Sequence, residues 1–121
     1  MFEVFYYQDK NGKCPIREYI QTLADKTDKD SRIKLNKLYE YIKYLSETGH
    51  RAREPYAKKL DGEIWELRPI RDRILYAAWD GQSFILLHHF VKKTPKTPRH
   101  EIEQAKRNLA DYRERKGDKD E

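Results

Sequence analysis

Cysteine is almost missing from this chain. Cys14 stands alone, so no internal disulfide forms and no multi-cysteine metal cage can be built. It lies just before Pro15 with no base near it in sequence, and reads as a structural thiol rather than a nucleophile. Glycine and proline number five each, too few for a flexible linker or a low-complexity segment. No stretch approaches the roughly 18 apolar residues of a membrane span. The opening MFEVFYYQDK has no basic region followed by a long apolar run and a small-residue cleavage site, so no signal peptide is expected. The expected location is the cytoplasm, with no membrane contact. Neither GxGxxG nor a P-loop occurs, and no nucleotide cofactor is expected. The histidines, His50, His88, His89 and His100, are joined by no HExxH or Cys/His pattern. Adjacent His88 and His89 should point to opposite faces of a strand, so no metal is expected either.

What is present is charge and aromatic surface. Of 121 residues, 39% are charged and 37% hydrophobic, and the mean hydropathy is -1.10. Such polarity alone suggests disorder, but nine Tyr, four Phe and two Trp argue for a packed core. The length suits one domain, expected over residues 1–115, with a frayed tail over 116–121. The net charge is +5 and unevenly spread. Residues 1–48 hold nine basic and eight acidic side chains. Residues 50–60 carry Arg51, Arg53, Lys58 and Lys59 against Glu54 alone, and residues 92–99 carry Lys92, Lys93, Lys96 and Arg99 with no acid. Clustered cations suit a polyanion, because affinity for phosphate grows with the charges neutralised together. The alternative is a solvated basic surface with no partner.

Residues 2–7 form a short aromatic and β-branched run that reads as a strand. Pro15 suits the first position of a helix, whose apolar face is Ile16, Tyr19, Ile20 and Leu23. Thr27-Asp28 or Asp30-Ser31 caps a second helix, with Leu35, Leu38, Ile42 and Leu45 on one stripe and Gly49 as terminator. Three strands are expected next, over 64–68, 73–79 and 83–91, with a hairpin turn at Asp80-Gly81. Thr97-Pro98 opens a last helix carrying Ile102, Ala105, Leu109 and Tyr112. The order β-α-α-β-β-β-α describes an α+β fold: a mostly antiparallel small sheet, a helical hairpin on one face and a C-terminal helix.

Arg68 ends one strand and Arg73 opens its antiparallel neighbour, so the two should be close. Counting back from Asp80-Gly81 sets Arg73 opposite residue 88, with Lys92 and Lys93 projecting beyond. Four cations then stand over one patch. The rest of the Arg73 strand is apolar, so a charge there has no evident structural purpose. Two neighbouring arginines repel unless an anion lies between them, and a phosphate is the expected anion.

The stretch KKLDGEIWELRPIRDRILYAAW, with FILLHHFVKKTPKTP and a helix beginning EIEQA, resembles the HigB branch of the RelE/ParE toxin superfamily, which includes the phage-derived Gp49-like proteins. The resemblance covers about residues 2–112. It implies a RelE-like fold and the toxin of a type II toxin–antitoxin module. It further implies a metal-independent, ribosome-dependent endoribonuclease that cuts mRNA by attack of the ribose 2′-hydroxyl on the adjacent phosphate. By the same resemblance Arg73 stabilises the transition state and Arg68 is a second phosphate clamp. Lys92 or Lys93 matches the basic residue after the last strand, and Lys58 and Lys59 match lysines of the preceding loop, one of which takes the 2′ proton. The expected catalytic set is therefore Arg68, Arg73, Lys59, Lys92 and Lys93. The expected RNA-holding set is Lys58, Arg51, Arg53, Lys96 and His88; His88 falls where the branch motif has its histidine and suits an acid, a base or a plain strand residue. RelE-type toxins often stack the substrate base on a C-terminal tyrosine, and Tyr112, the one nearby, has the spacing of a core residue instead. The implied partners are a HigA-like antitoxin with a helix-turn-helix domain and mRNA on the 70S ribosome. A ParE-like toxin that poisons DNA gyrase is the competing reading on the same fold. A basic nucleic-acid-binding module without toxicity is a third.

Overall fold

The computed structural model describes residues 1–117. A strand, β1 (Glu3–Tyr6), precedes two helices, α1 (Pro15–Ala24) and α2 (Lys29–Thr48). Four strands follow, β2 (Ala57–Asp61), β3 (Ile64–Leu67), β4 (Asp72–Asp80) and β5 (Ser83–Val91), and α3 (Arg99–Lys116) closes the chain. Local chemistry explains the boundaries. Pro15 occupies the first turn of α1, where its missing N–H is no loss. Of the two expected caps for α2, Asp28 is used: its carboxylate accepts from the Ser31 backbone N–H at 2.9 Å. Gly49 ends α2 at φ 56°, and a Cβ there would stand 2.2 Å from the Phe2 ring. Only glycine fits.

The strands form one sheet in the order β1-β5-β4-β3-β2. β1 runs parallel to β5, and every other pair is antiparallel. Both faces are covered. Ile16 and Leu23 of α1 and Leu38 and Leu45 of α2 pack on Leu67, Ile74, Tyr76 and Leu86. On the other face Ile102, Ala105, Leu109 and Tyr112 of α3 pack on Leu75, Ala77, Ile85 and Leu87. Each buried Leu or Ile stabilises the fold by about 1.5–3 kcal/mol, so these stripes hold an otherwise very polar chain together. This is the α+β architecture that the pattern of apolar residues predicts. Among the described residues no helix is long and apolar enough to cross a membrane.

Three expectations need correction. The order contains a further strand, β2, where the basic segment reads as a loop. Its sequence AKKLD has only two apolar residues, and it forms because it is the sheet's outer edge, where lysines are tolerated and blunt further pairing. The β4–β5 turn centres on Gly81-Gln82, since Asp80 pairs with Ser83. That displacement by one residue sets Arg73 opposite Phe90 rather than residue 88. Finally, Lys116 belongs to α3, and the rest of the expected tail, after Gly117, lies outside the described residues.

Candidate active site

The register decides which cations share a side. Lys58 lies opposite Glu66, and Glu66 opposite Leu75, whose side chain packs under α3. Alternation along β3 and β4 then puts Glu66, Arg68 and Arg73 on that same face, at the end of the sheet not covered by α3. The segment between β5 and α3 passes over them. Together they bound a cleft of about 650 Å³, lined by Lys58, Glu66, Arg68, Arg73, Lys92 and Lys96 among others.

Glu66 organises the cleft, and composition gives no hint of it. The residue is 3% exposed. Its Oε1 accepts from Thr97 Oγ1 at 2.5 Å, which fixes the basic segment over the sheet. Its Oε2 lies 3.6 Å from Arg68 Nε, and its charge also favours the cationic form of Arg73. An anion beside Arg68, whose charge also reaches Arg73, is thus built into the protein. The one available signal is the pattern Ile64-x-Glu66, which sets a carboxylate at an inward position of β3.

Arg73 is 5% exposed, and its Nη1 donates to the carbonyls of Ile70 at 2.9 Å and Asp72 at 2.8 Å. Burial draws this guanidinium below its ordinary value, with Glu66 opposing; it remains a cation at neutral pH. The charge on β4 therefore has a structural purpose, contrary to the expectation from its apolar neighbours. Arg68 is less enclosed and also faces Glu54 at 3.8 Å. Its Nε is buried with no hydrogen-bond acceptor. Glu66 balances its charge at 3.6 Å but is too far to accept a hydrogen bond, and an anion entering the cleft can supply that acceptor.

A family model described as "Phage derived protein Gp49-like (DUF891)" matches residues 20–110. The chain belongs to the phage-derived Gp49-like family. The matched segment takes in all the cleft residues named above. Membership is compatible with the toxin of a toxin–antitoxin module. No curated protein matches the sequence.

In this Gp49-like fold the other expected site residues divide. Lys59 borders the cleft but is paired with Trp65, at the register position that faces the helical hairpin. Lys93 borders a neighbouring depression with Ile70, Arg71, Arg73 and Lys92. Arg51 and Arg53 are not brought to the cleft. Arg51 ends a short 3₁₀ turn after α2. Arg53 donates to the carbonyls of His50 and Ala52 and lies 5.5 Å from the Trp65 ring centroid, on the hairpin face.

The two histidines do part company. His88 Nε2 is 2.6 Å from Glu101 Oε1 on α3. A bulge at Leu87, between the pairs Leu75–His88 and Tyr76–Leu86, turns both Leu87 and His88 toward that helix. His88 does not line the cleft. His89 Nε2 lies 3.0 Å from Asp72 Oδ1, which also accepts from Tyr19 Oη at 2.7 Å. Burial pushes the Asp72 carboxyl up, but hydrogen bonds from His89 and Tyr19 outweigh it and hold the group below the ordinary value. Burial, together with the hydrogen bond to Asp72, pushes the Tyr19 hydroxyl up. Asp72 thereby ties α1 to the first residue of β4, next to Arg73. Tyr112 is buried in the α3 core, its ring 4.7 Å from that of Trp79. Among the described residues no group of three or more His, Cys, Asp or Glu is placed to hold a metal ion.

Proposed function

We propose that this Gp49-like protein is the toxin of a type II toxin–antitoxin module, and that it is a ribosome-dependent endoribonuclease of the HigB kind it resembles. The observation that carries the reading is the two arginines lining one cleft, Arg73 fixed by backbone carbonyls and Arg68 ion-paired with Glu66 through a buried Nε that has no hydrogen-bond acceptor. Such a clamp suits a phosphate that gains charge during reaction, because preorganised cations stabilise the transition state more than the ground state.

In the proposed step the ribose 2′ oxygen attacks the adjacent phosphorus as it loses its proton, the bond to the 5′ oxygen breaks, that oxygen takes a proton from water, and a 2′,3′-cyclic phosphate and a 5′-hydroxyl result. Arg68, Arg73 and Lys92 face the non-bridging oxygens. Lys58, on the cleft side of β2, is the lysine placed to receive the 2′ proton, ahead of Lys59. The His88–Glu101 pair stands outside the cleft. The cleft thus clamps phosphate and offers one lysine for the 2′ proton, without a histidine–carboxylate pair to align the sugar. Alignment by the ribosomal decoding site supplies what the protein lacks. A basic surface also invites an acidic neutralising partner, which the reading assigns to a helix-turn-helix antitoxin. Both act in the cytoplasm.

The test is induction from a tight promoter, followed by primer extension on cellular mRNA. Growth arrest with new mRNA 5′ ends, reproduced in vitro on programmed ribosomes and absent on naked RNA, is the expected result. Growth arrest with intact mRNA and gyrase-linked DNA breaks would select the ParE-like reading. No growth defect at high expression would end both.

A further inference from the structure

Apart from Glu66 and two threonines, the polar side chains lining the cleft are lysines and arginines, which only donate. A hydroxyl has one hydrogen to give and two lone pairs that can receive. Thr97 Oγ1 gives its hydrogen to Glu66 Oε1 at 2.5 Å. Among the described residues nothing donates to it in return. Its place before α3 would let the oxygen cap that helix, but α3 has no side-chain cap. The lone pairs are therefore unspent, and the bond to a buried carboxylate makes the oxygen a better acceptor. Thr94, the other lining hydroxyl, is exposed and donates to the Lys96 carbonyl of its own segment. Of the two, Thr97 is joined through Glu66 to the arginine whose Nε lacks an acceptor.

We infer that Thr97 accepts a hydrogen bond from a ribose 2′ hydroxyl beside the clamped phosphate, and that the cleft thereby selects RNA over DNA. The inference rests on the reading of the cleft as a phosphate clamp. The two oxygens of Glu66 set Thr97 and Arg68 side by side, so a strand whose phosphate reaches Arg68 brings a sugar to Thr97. A deoxyribose has no hydrogen to offer there, and the 2′ hydroxyl is what distinguishes the two sugars. Which ribose is read follows from the proposed step. The reacting 2′ hydroxyl has a single hydrogen, and that hydrogen goes to Lys58. Thr97 is left for the ribose that carries the departing 5′ oxygen, whose own 2′ hydroxyl is not consumed. The chemistry of cleavage demands a ribose on the attacking side only. Thr97 adds the same demand on the leaving side.

The experiment titrates the full chain, isotope-labelled, with dinucleoside monophosphates and follows the cleft amides by NMR. One probe, dApA, has its single ribose on the leaving side; the other, dApdA, has none. Neither has a 2′ hydroxyl that can attack. The first should bind about threefold to tenfold more tightly than the second. Thr97→Val should bring that ratio to one, whatever a loosened segment does to the absolute affinities, and Thr97→Ser should keep it. A role confined to holding the segment over the cleft would weaken both probes alike and leave the ratio standing, which overturns the inference. Equal binding of the two probes to the unaltered protein overturns it as well, and the phosphate clamp would survive that result. Tighter binding of ApdA, whose ribose is on the attacking side, than of dApA would overturn the assignment of the ribose. Binding of neither probe at the cleft removes the clamp itself, and the inference with it.

Discussion

The buried guanidinium of Arg73 is held by the carbonyl of Ile70, a β-branched residue at φ 57°. Left-handed backbone at such a residue costs on the order of 1–3 kcal/mol and persists only where its surroundings enforce it. Pro69, whose carbonyl accepts from the Asp72 N–H at 3.0 Å, and the bond from Arg73 supply that enforcement. The turn before β4 and the cation at its start are therefore one unit.

Arg73→Ala should reduce ribosome-dependent cleavage by on the order of a hundredfold or more. It should also destabilise the protein by about 1–3 kcal/mol, since the carbonyls of Ile70 and Asp72 lose their donor. Arg73→Lys should recover part of the stability and little of the activity, because an ammonium lacks the planar fork. Denaturant unfolding and cleavage measured on the same samples separate the two effects. A loss of activity that merely tracks the unfolded fraction would show Arg73 to be structural alone.

Ile70→Asn should stabilise the fold by about 1 kcal/mol, since asparagine tolerates the left-handed region. Little burial is lost, because Ile70 is 50% exposed. Equilibrium urea unfolding is the measurement, and a lowered midpoint would contradict the account of the turn.

Lys58→Ala and Lys59→Ala are chemically alike but should differ in effect. Lys58 is opposite Glu66 on the cleft side, whereas Lys59 is opposite Trp65. Lys58→Ala should lower single-turnover cleavage on programmed ribosomes by tenfold or more, in the general range of proton-transfer groups. Lys59→Ala should cost only a few-fold, as the loss of one phosphate contact. Reversal of that order would mean the β2–β3 register is not the one that matters in the complex.

Much of this was legible in the chain and some was not, for reasons that residues make plain. The strand Ser83–Val91 and the apolar stripe of α3 are readable because burial on one face imposes a period. Arg68 and Arg73 are readable as neighbours because an antiparallel connection brings strand ends together. β2 is hidden because an edge strand needs few apolar residues. Arg51 and Arg53 look like partners of Lys58 and Lys59 by proximity in sequence. Their side of the sheet, however, depends on where β2 begins and which way it alternates. Glu66 is hidden for a different reason: its burial is created by Thr97 and the segment over the cleft, more than thirty positions later in the chain.

Acid should unfold the protein along a predictable limb. Asp28, Asp61, Asp72 and Asp111 all sit below the ordinary carboxyl value of 3.8. As the pH falls, the unfolded chain takes up protons at these positions before the folded one does. Their stabilisation is present above the ordinary value and is lost as pH drops through it toward the lower folded values. Asp72→Asn should lower the melting temperature at pH 7, by weakening the ties to His89 and Tyr19, and should narrow the difference between pH 7 and pH 3. An undiminished difference would place the acid sensitivity in the other three carboxyls.

The parallel pairing of β1 has a consequence for how the molecule is born. Glu3 finds its partner at Ser83, and β1 has no other strand beside it. β1 must therefore wait, unpaired, while the helical hairpin and four further strands are made. The cleft is assembled on the same schedule, since Thr97 secures Glu66 only after β5 is complete. Until β5 and the segment after it have left the ribosome, the sheet is unfinished and the basic cleft is open on the side that Thr97 closes.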